Sequence, residues 1–113
     1  MIKPDFISVV IPAKNEAAAI ANTVQGIASR LPGAQLIVVN DGSTDSTAEV
    51  ARQAGALVVD HPYSKGNGAA IKTGARAARG EIIVFMDGDG QHSAAGIPRL
   101  LDAANRHPGC IVI

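Results

Sequence analysis

Two aspartates separated by one glycine, Asp87, Gly88 and Asp89, follow the apolar run Ile82 to Met86 and precede Gly90, Gln91 and His92. Carboxylates two residues apart at the end of an apolar strand can converge on one hard divalent cation, which prefers oxygen ligands, and Mg²⁺ or Mn²⁺ fits that chemistry. Beside a diphosphate two acids alone would repel the ligand, and a bridging cation turns that repulsion into attraction. The cation would then act as Lewis acid and template for a departing diphosphate, while Gly88 and Gly90 keep bulk away from it. The competing reading is an Asp-Gly turn between two hairpin strands; the segment that follows has helical spacing and offers no second strand. A calcium loop of the EF-hand type is excluded, because its sixth and twelfth positions would be His92 and Pro98 rather than Gly and Glu. His92 reads as a helix-start residue or as a contact to metal or phosphate, and His61 and His107 read as solvated.

Three further polar segments also follow apolar runs. In Pro12, Ala13, Lys14, Asn15, Glu16, an amide and an acid suit a helix start, where Asn15 caps free N–H groups and Glu16 meets the helix dipole. Asn40 to Thr47 carries more polar residues than one cap requires, although an Asx-turn followed by a cap would account for part of it. Asp41, held at a strand end, would accept a hydrogen bond from the ring N–H of uracil or guanine; adenine has no such ring donor. In Ser64, Lys65, Gly66, Asn67, Gly68, backbone N–H groups and a cation would face an anion, or the segment is a plain connection. The pair Gly66 and Gly68 lacks the third small residue of a dinucleotide fingerprint, and no Gly-Lys-Ser/Thr closes a Walker A loop.

Five short apolar runs rich in β-branched residues separate these segments: Phe6 to Ile11, Leu36 to Val39, Ala56 to Val59, Ile82 to Met86 and Cys110 to Ile113. They are nearly unbroken rather than alternating, as in strands of a parallel sheet covered on both faces. Between the first two, Ile20, Val24, Ile27 and Leu31 recur at helical spacing, with Gly33 just beyond. Ser46 and Glu49 form a capping-box pattern ahead of a short helix, about Thr47 to Ala54, and Gly55 stands where a left-handed C-terminal residue is wanted. A third helix, about Gly68 to Ala78 with Gly80 after it, is rich in Ala and Gly, so it can approach a sheet closely. A fourth begins near Ser93 and ends before His107, Pro108 and Gly109. Strands alternating with helices imply right-handed crossovers and a parallel α/β three-layer sandwich of about five strands and four helices. In such sheets ligands bind at the carboxyl ends of the strands, where all four polar segments lie.

The 113 residues suffice for one small domain. Hydrophobic residues make up 47% and aromatics only 3%, so the core is aliphatic and Ala-rich. Ten basic and ten acidic residues cancel, which supplies no long-range field for nucleic acid or anionic lipid. The lone Cys110 forms no internal disulfide, and no apolar run approaches the 18 or so residues of a membrane span. These features predict a cytoplasmic setting.

The segments SVVIPAKNEAAAI, VVNDGSTDST, SKGNGAAIKTG and VFMDGDGQHSAAGIPRLL together resemble the nucleotide-sugar-binding half of the family 2 glycosyltransferases, of GT-A fold. They are most similar to the branch acting on dolichyl or polyprenyl phosphate, and the likeness covers nearly the whole chain. It implies that Pro12, Ala13 and Glu16 line a nucleoside pocket and that Asp41 holds the base. Asp87, Gly88 and Asp89 match the DXD signature: both aspartates would serve metal and diphosphate, with Asp89 assigned to catalysis and Gln91 assisting at the metal. The implied reaction is metal-dependent, inverting transfer of a hexose from a UDP- or GDP-sugar to a polyprenyl phosphate, at the cytoplasmic membrane surface through that acceptor. Such relatives continue for about another domain, so the chain is expected to be their N-terminal part. Two other readings are a nucleotide-sugar-binding module without transfer and, at lower weight, a nucleotidyltransferase. An unpaired sheet edge would favour a homo-oligomer.

Overall fold

The computed structural model describes residues 7–80, 82–86 and 111–112. Strands β1 (Ile7–Ala13), β2 (Gln35–Asp41), β3 (Leu57–His61), β4 (Ile82–Phe85) and β5 (Ile111–Val112) alternate with helices α1 (Ala17–Arg30), α2 (Thr47–Gln53) and α3 (Asn67–Ala77). The sheet is parallel throughout, in the order β3-β2-β1-β4-β5. The chain therefore winds outward from β1 to β3 and then returns to lay β4 on the other side of β1. That reversal puts the topological switch point between the carboxyl ends of β1 and β4, where open α/β sheets form their ligand crevice.

Alternation along the strands separates two cores. On one face Ile7, Val9 and Ile11 of β1 and Leu36 and Val38 of β2 meet Ile20, Val24, Ile27 and Leu31 of the first helical segment, all buried. Each such aliphatic side chain contributes roughly 2 kcal/mol, and the spacing read from the sequence is the buried stripe. On the other face Val10, Ile37, Val39 and Phe85 meet Ala70 of α3. There the small residues of α3 are a steric requirement, because a Cβ on Gly74 would collide with the Val10 side chain.

Several expectations need correction. β1 runs on through Pro12 to Ala13 rather than ending at Ile11. Pro12 is tolerated in this central strand for a reason of register. Val10 faces β4, since its carbonyl accepts from Met86 N–H at 3.0 Å, so Pro12 two residues on faces the same way, beyond the end of β4 pairing, and its missing donor costs no ladder bond there. β3 is not covered on both faces: it lies at the sheet edge and Leu57 is 46% exposed. Gly55 does adopt the left-handed conformation expected after α2, with φ 103°, and Gly33, just beyond α1, has a positive φ of 91° as well. The fourth helix, near Ser93 onward, lies outside the described residues.

Candidate functional site at the carboxyl edge of the sheet

The apolar stretches of β2 and β3 pair in register, and so do the polar residues at their ends: Asn40 stands opposite Asp60 and Asp41 opposite His61. Alternation sends the two pairs to opposite faces. On the α2 face Asn40 Nδ2 donates to Asp60 Oδ1 at 2.9 Å, and Arg52 Nη2 of α2 donates to Asp60 Oδ2 at 2.6 Å. On the α3 face His61 Nδ1 lies 2.8 Å from Asp41 Oδ1, and His61 Nε2 lies 2.8 Å from Thr73 Oγ1 of α3.

Asp41 is 6% exposed and has four donors. Besides His61, Oδ1 accepts from Lys65 N–H at 2.8 Å, while Oδ2 accepts from Gly66 N–H at 2.9 Å and from Ser64 Oγ at 3.2 Å. Burial works against the charged form, but the bonds from His61, Lys65 N, Gly66 N and Ser64 outweigh it and bring the carboxyl down to about 2. Asp41 is thus an ionised acceptor at neutral pH. The loop after β3 comes close enough to do this because Gly42 has φ 72° and no Cβ, which would lie 2.7 Å from Tyr63 C. Of the two readings of this segment, an anion contact or a plain connection, the N–H groups of Lys65 and Gly66 take neither alone: they serve the chain's own Asp41.

The start of α1 is capped across loops. Asn15 was expected as its cap, but no side chain of its own segment caps the helix. Instead Glu16 N–H donates to Thr47 Oγ1, in the first turn of α2, at 2.9 Å and Ala17 N–H to Asp45 Oδ2, in the loop after β2, at 3.2 Å. Asn15 takes a left-handed conformation, φ 54°, and its Oδ1 accepts from Thr44 N–H at 2.8 Å. Nor does the capping box form, since Ser46 makes no side-chain cap bond. Asp45 closes the turn, with Oδ1 accepting from Thr47 N–H at 2.9 Å and from the Thr47 hydroxyl. That hydroxyl bond, against some desolvation, and further N–H donors lower the Asp45 carboxyl below its usual range. Glu49 accepts from Gln53 of the next turn instead.

Of the residues singled out, Pro12 and Ala13 stand at the end of β1, Glu16 at the N-terminus of α1 and Asp41 at the end of the adjacent β2. Asp87, Gly88, Asp89 and Gln91 lie outside the described residues, as do His92 and His107; Met86, the last described residue before them in sequence, follows β4, the strand beside β1. His61 is not solvated as expected but buried, 7% exposed. His61 and Thr73 were missed as site residues. Aligning the runs IVVND and LVVDH would have placed His61 opposite Asp41; nothing local marks Thr73. Among the described residues no helix is long and apolar enough to cross a membrane.

The family model described as Glycosyl transferase family 2 matches residues 8–113. The uncharacterized protein MJ1222 of Methanocaldococcus jannaschii is 35% identical over 103 residues, covering 88% of this chain and 42% of that protein. An undecaprenyl-phosphate 4-deoxy-4-formamido-L-arabinose transferase of Edwardsiella ictaluri is 31% identical over 113 residues, covering 89% of this chain and 34% of that one. Among solved structures, glucosyl-3-phosphoglycerate synthase from Mycobacterium tuberculosis in complex with Mn²⁺, uridine diphosphate and glucosyl-3-phosphoglycerate superposes with a TM-score of 0.73 at 33% identity, covering 85% of this chain and 38% of that one. The chain thus spans less than half the length of each of these three relatives.

Proposed function

The chain belongs to glycosyl transferase family 2, and on that premise we propose that it is the donor-binding part of a hexosyltransferase that uses a UDP- or GDP-hexose and a phosphate-bearing acceptor. The observation that carries the reading is Asp41, an ionised carboxylate held by four donors at the carboxyl end of β2, next to the switch point. An acceptor without a proton suits uracil N3–H or guanine N1–H and leaves adenine unmatched. Three of its bonds measure 2.8 to 2.9 Å, whereas the one from the exposed Ser64 hydroxyl is 3.2 Å. Ser64 is therefore the donor that yields when a base N–H arrives at Oδ2. Pro12 and Ala13 line the nucleoside side of that pocket from β1, and Glu16 from the start of α1.

Asp87, Asp89 and Gln91 are assigned as ligands of Mg²⁺ or Mn²⁺, because all three offer the hard oxygen donors these ions take. They follow β4, which pairs with β1 beside the nucleoside residues. When bound, the cation offsets the charge of the donor diphosphate and acts as a Lewis acid on it. Asp89 is assigned to catalysis through that diphosphate, and Gly88 leaves room for it. The complex of the mycobacterial synthase with Mn²⁺ and uridine diphosphate supports the choice of cation and of a uridine nucleotide. For the acceptor, the undecaprenyl-phosphate transferase supports a polyprenyl phosphate and the synthase a phosphoglycerate. Of these, the polyprenyl phosphate is preferred on the motif resemblance.

Calorimetric titration with UDP-glucose and GDP-mannose, with and without Mn²⁺, tests the donor site. The expected result is metal-dependent binding of one of them, lost in Asp89→Ala. Binding of neither, or binding indifferent to both Mn²⁺ and Asp89, would overturn the reading. Labelled-sugar transfer to undecaprenyl phosphate or to 3-phosphoglycerate then separates the acceptors.

A further inference from the structure

We propose that His61 is a positioning residue for nucleobase discrimination: its Nδ1 fixes the carboxylate of Asp41, and Thr73 in turn fixes the His61 ring. The inference rests on reading Asp41 as the acid that meets the base. A carboxylate torsion is intrinsically broad, so an aspartate that reads one ring N–H must be clamped by its neighbours. Lys65 and Gly66 act from a loop, and Ser64 yields. His61 is the donor delivered by a strand, and the parallel register sets it opposite Asp41. Its ring is itself held at the far side by Thr73 Oγ1 at 2.8 Å. Thr73 precedes Gly74, whose missing side chain lets α3 lie against Val10 of β1. A continuous line of contacts therefore runs from the core through α3 and the imidazole to the carboxylate.

The protonation pattern follows from the partners. Ionised Asp41 only accepts, so Nδ1 carries the proton, and in the neutral ring Nε2 accepts from the Thr73 hydroxyl. With His61 7% and Asp41 6% exposed, water competes little for this bond.

Three variants of the whole chain test the proposal, titrated with UDP, GDP, CDP and ADP at fixed Mn²⁺. His61→Asn keeps a donor near the Nδ1 position; His61→Gln reaches toward Thr73 but abandons Asp41; Thr73→Val removes the ring's anchor. The parent chain should prefer UDP or GDP over CDP and ADP. That preference should fall about tenfold in His61→Gln, less in Thr73→Val, and stay within about twofold of the parent in His61→Asn. Equal weakening toward all four nucleotides, with the preference intact, would make His61 a packing residue and overturn the proposal. The two readings come apart in Asp41→Asn: if the parent's preference survives that change, the role of Asp41 falls, whereas a preference erased there but untouched in His61→Gln removes His61 alone. Nitrogen-15 NMR of the imidazole gives a readout free of nucleotide. Protonation at Nδ1 is expected at neutral pH, and a ring protonated at Nε2 alone would overturn the geometry.

Discussion

The Thr47 hydroxyl, in the first turn of α2, accepts the Glu16 N–H at the start of α1 from 2.9 Å, across 31 residues of sequence. Two helix starts are thereby joined at one edge of the sheet, and the loops after β1 and β2 hold each other through Asn15, Ser43 and Thr44 as well. Replacing Thr47 by Val keeps the shape of this fully buried side chain and removes the acceptor. Loss of a helix cap predicts a destabilisation of about 1–2 kcal/mol, read from urea unfolding midpoints. Ser46→Ala, at the position the sequence favours for the cap, should cost under about 0.5 kcal/mol, as surface changes usually do.

Gly74→Ala tests the contact between α3 and β1. In an isolated helix this change would be favourable by about 1 kcal/mol. Here the new Cβ meets the Val10 side chain, so the sign reverses and overpacking should cost about 1–3 kcal/mol. A stabilised variant would show that α3 can move off the sheet.

Acid should weaken the fold through Asp41. Its carboxyl titrates at about 2 in the folded chain, against about 3.9 in an unfolded one. The folded state therefore binds this proton more weakly, and the group's contribution is complete above about pH 4 and disappears as pH falls through about 2. Allowing for solvent at the loop edge, it amounts to about 1–2 kcal/mol. Asp45, lowered in the same direction, adds to the slope. Unfolding midpoints between pH 7 and 2 should fall less steeply in Asp41→Asn than in the parent; parallel curves would contradict the assignment.

Ser64→Ala separates the yielding donor from the fixed ones. Because the exposed hydroxyl gives up a 3.2 Å bond when a base binds, its removal should leave UDP or GDP affinity unchanged or raise it up to about threefold. Folding stability should drop by no more than about 1 kcal/mol. A tenfold loss of affinity would mean that Ser64 itself contacts the nucleotide.

The alternation of strands and helices, the buried stripe Ile20, Val24, Ile27 and Leu31, and the close-packing face of α3 were all legible in the sequence, because each depends on residues within a turn or two of one another. The four motif segments were also legible, and their order identified the family. Tertiary structure alone decided who partners whom. Asp41 receives its donors from 20 to 25 residues away, and α1 takes its cap from Asp45 and Thr47 instead of Asn15. Such partners are set by strand register and by how far a glycine lets two loops approach, and neither appears in local spacing. Burial of His61 and exposure of Leu57 have the same origin: a strand's neighbours follow from its place in the sheet order, which the run of apolar residues does not encode.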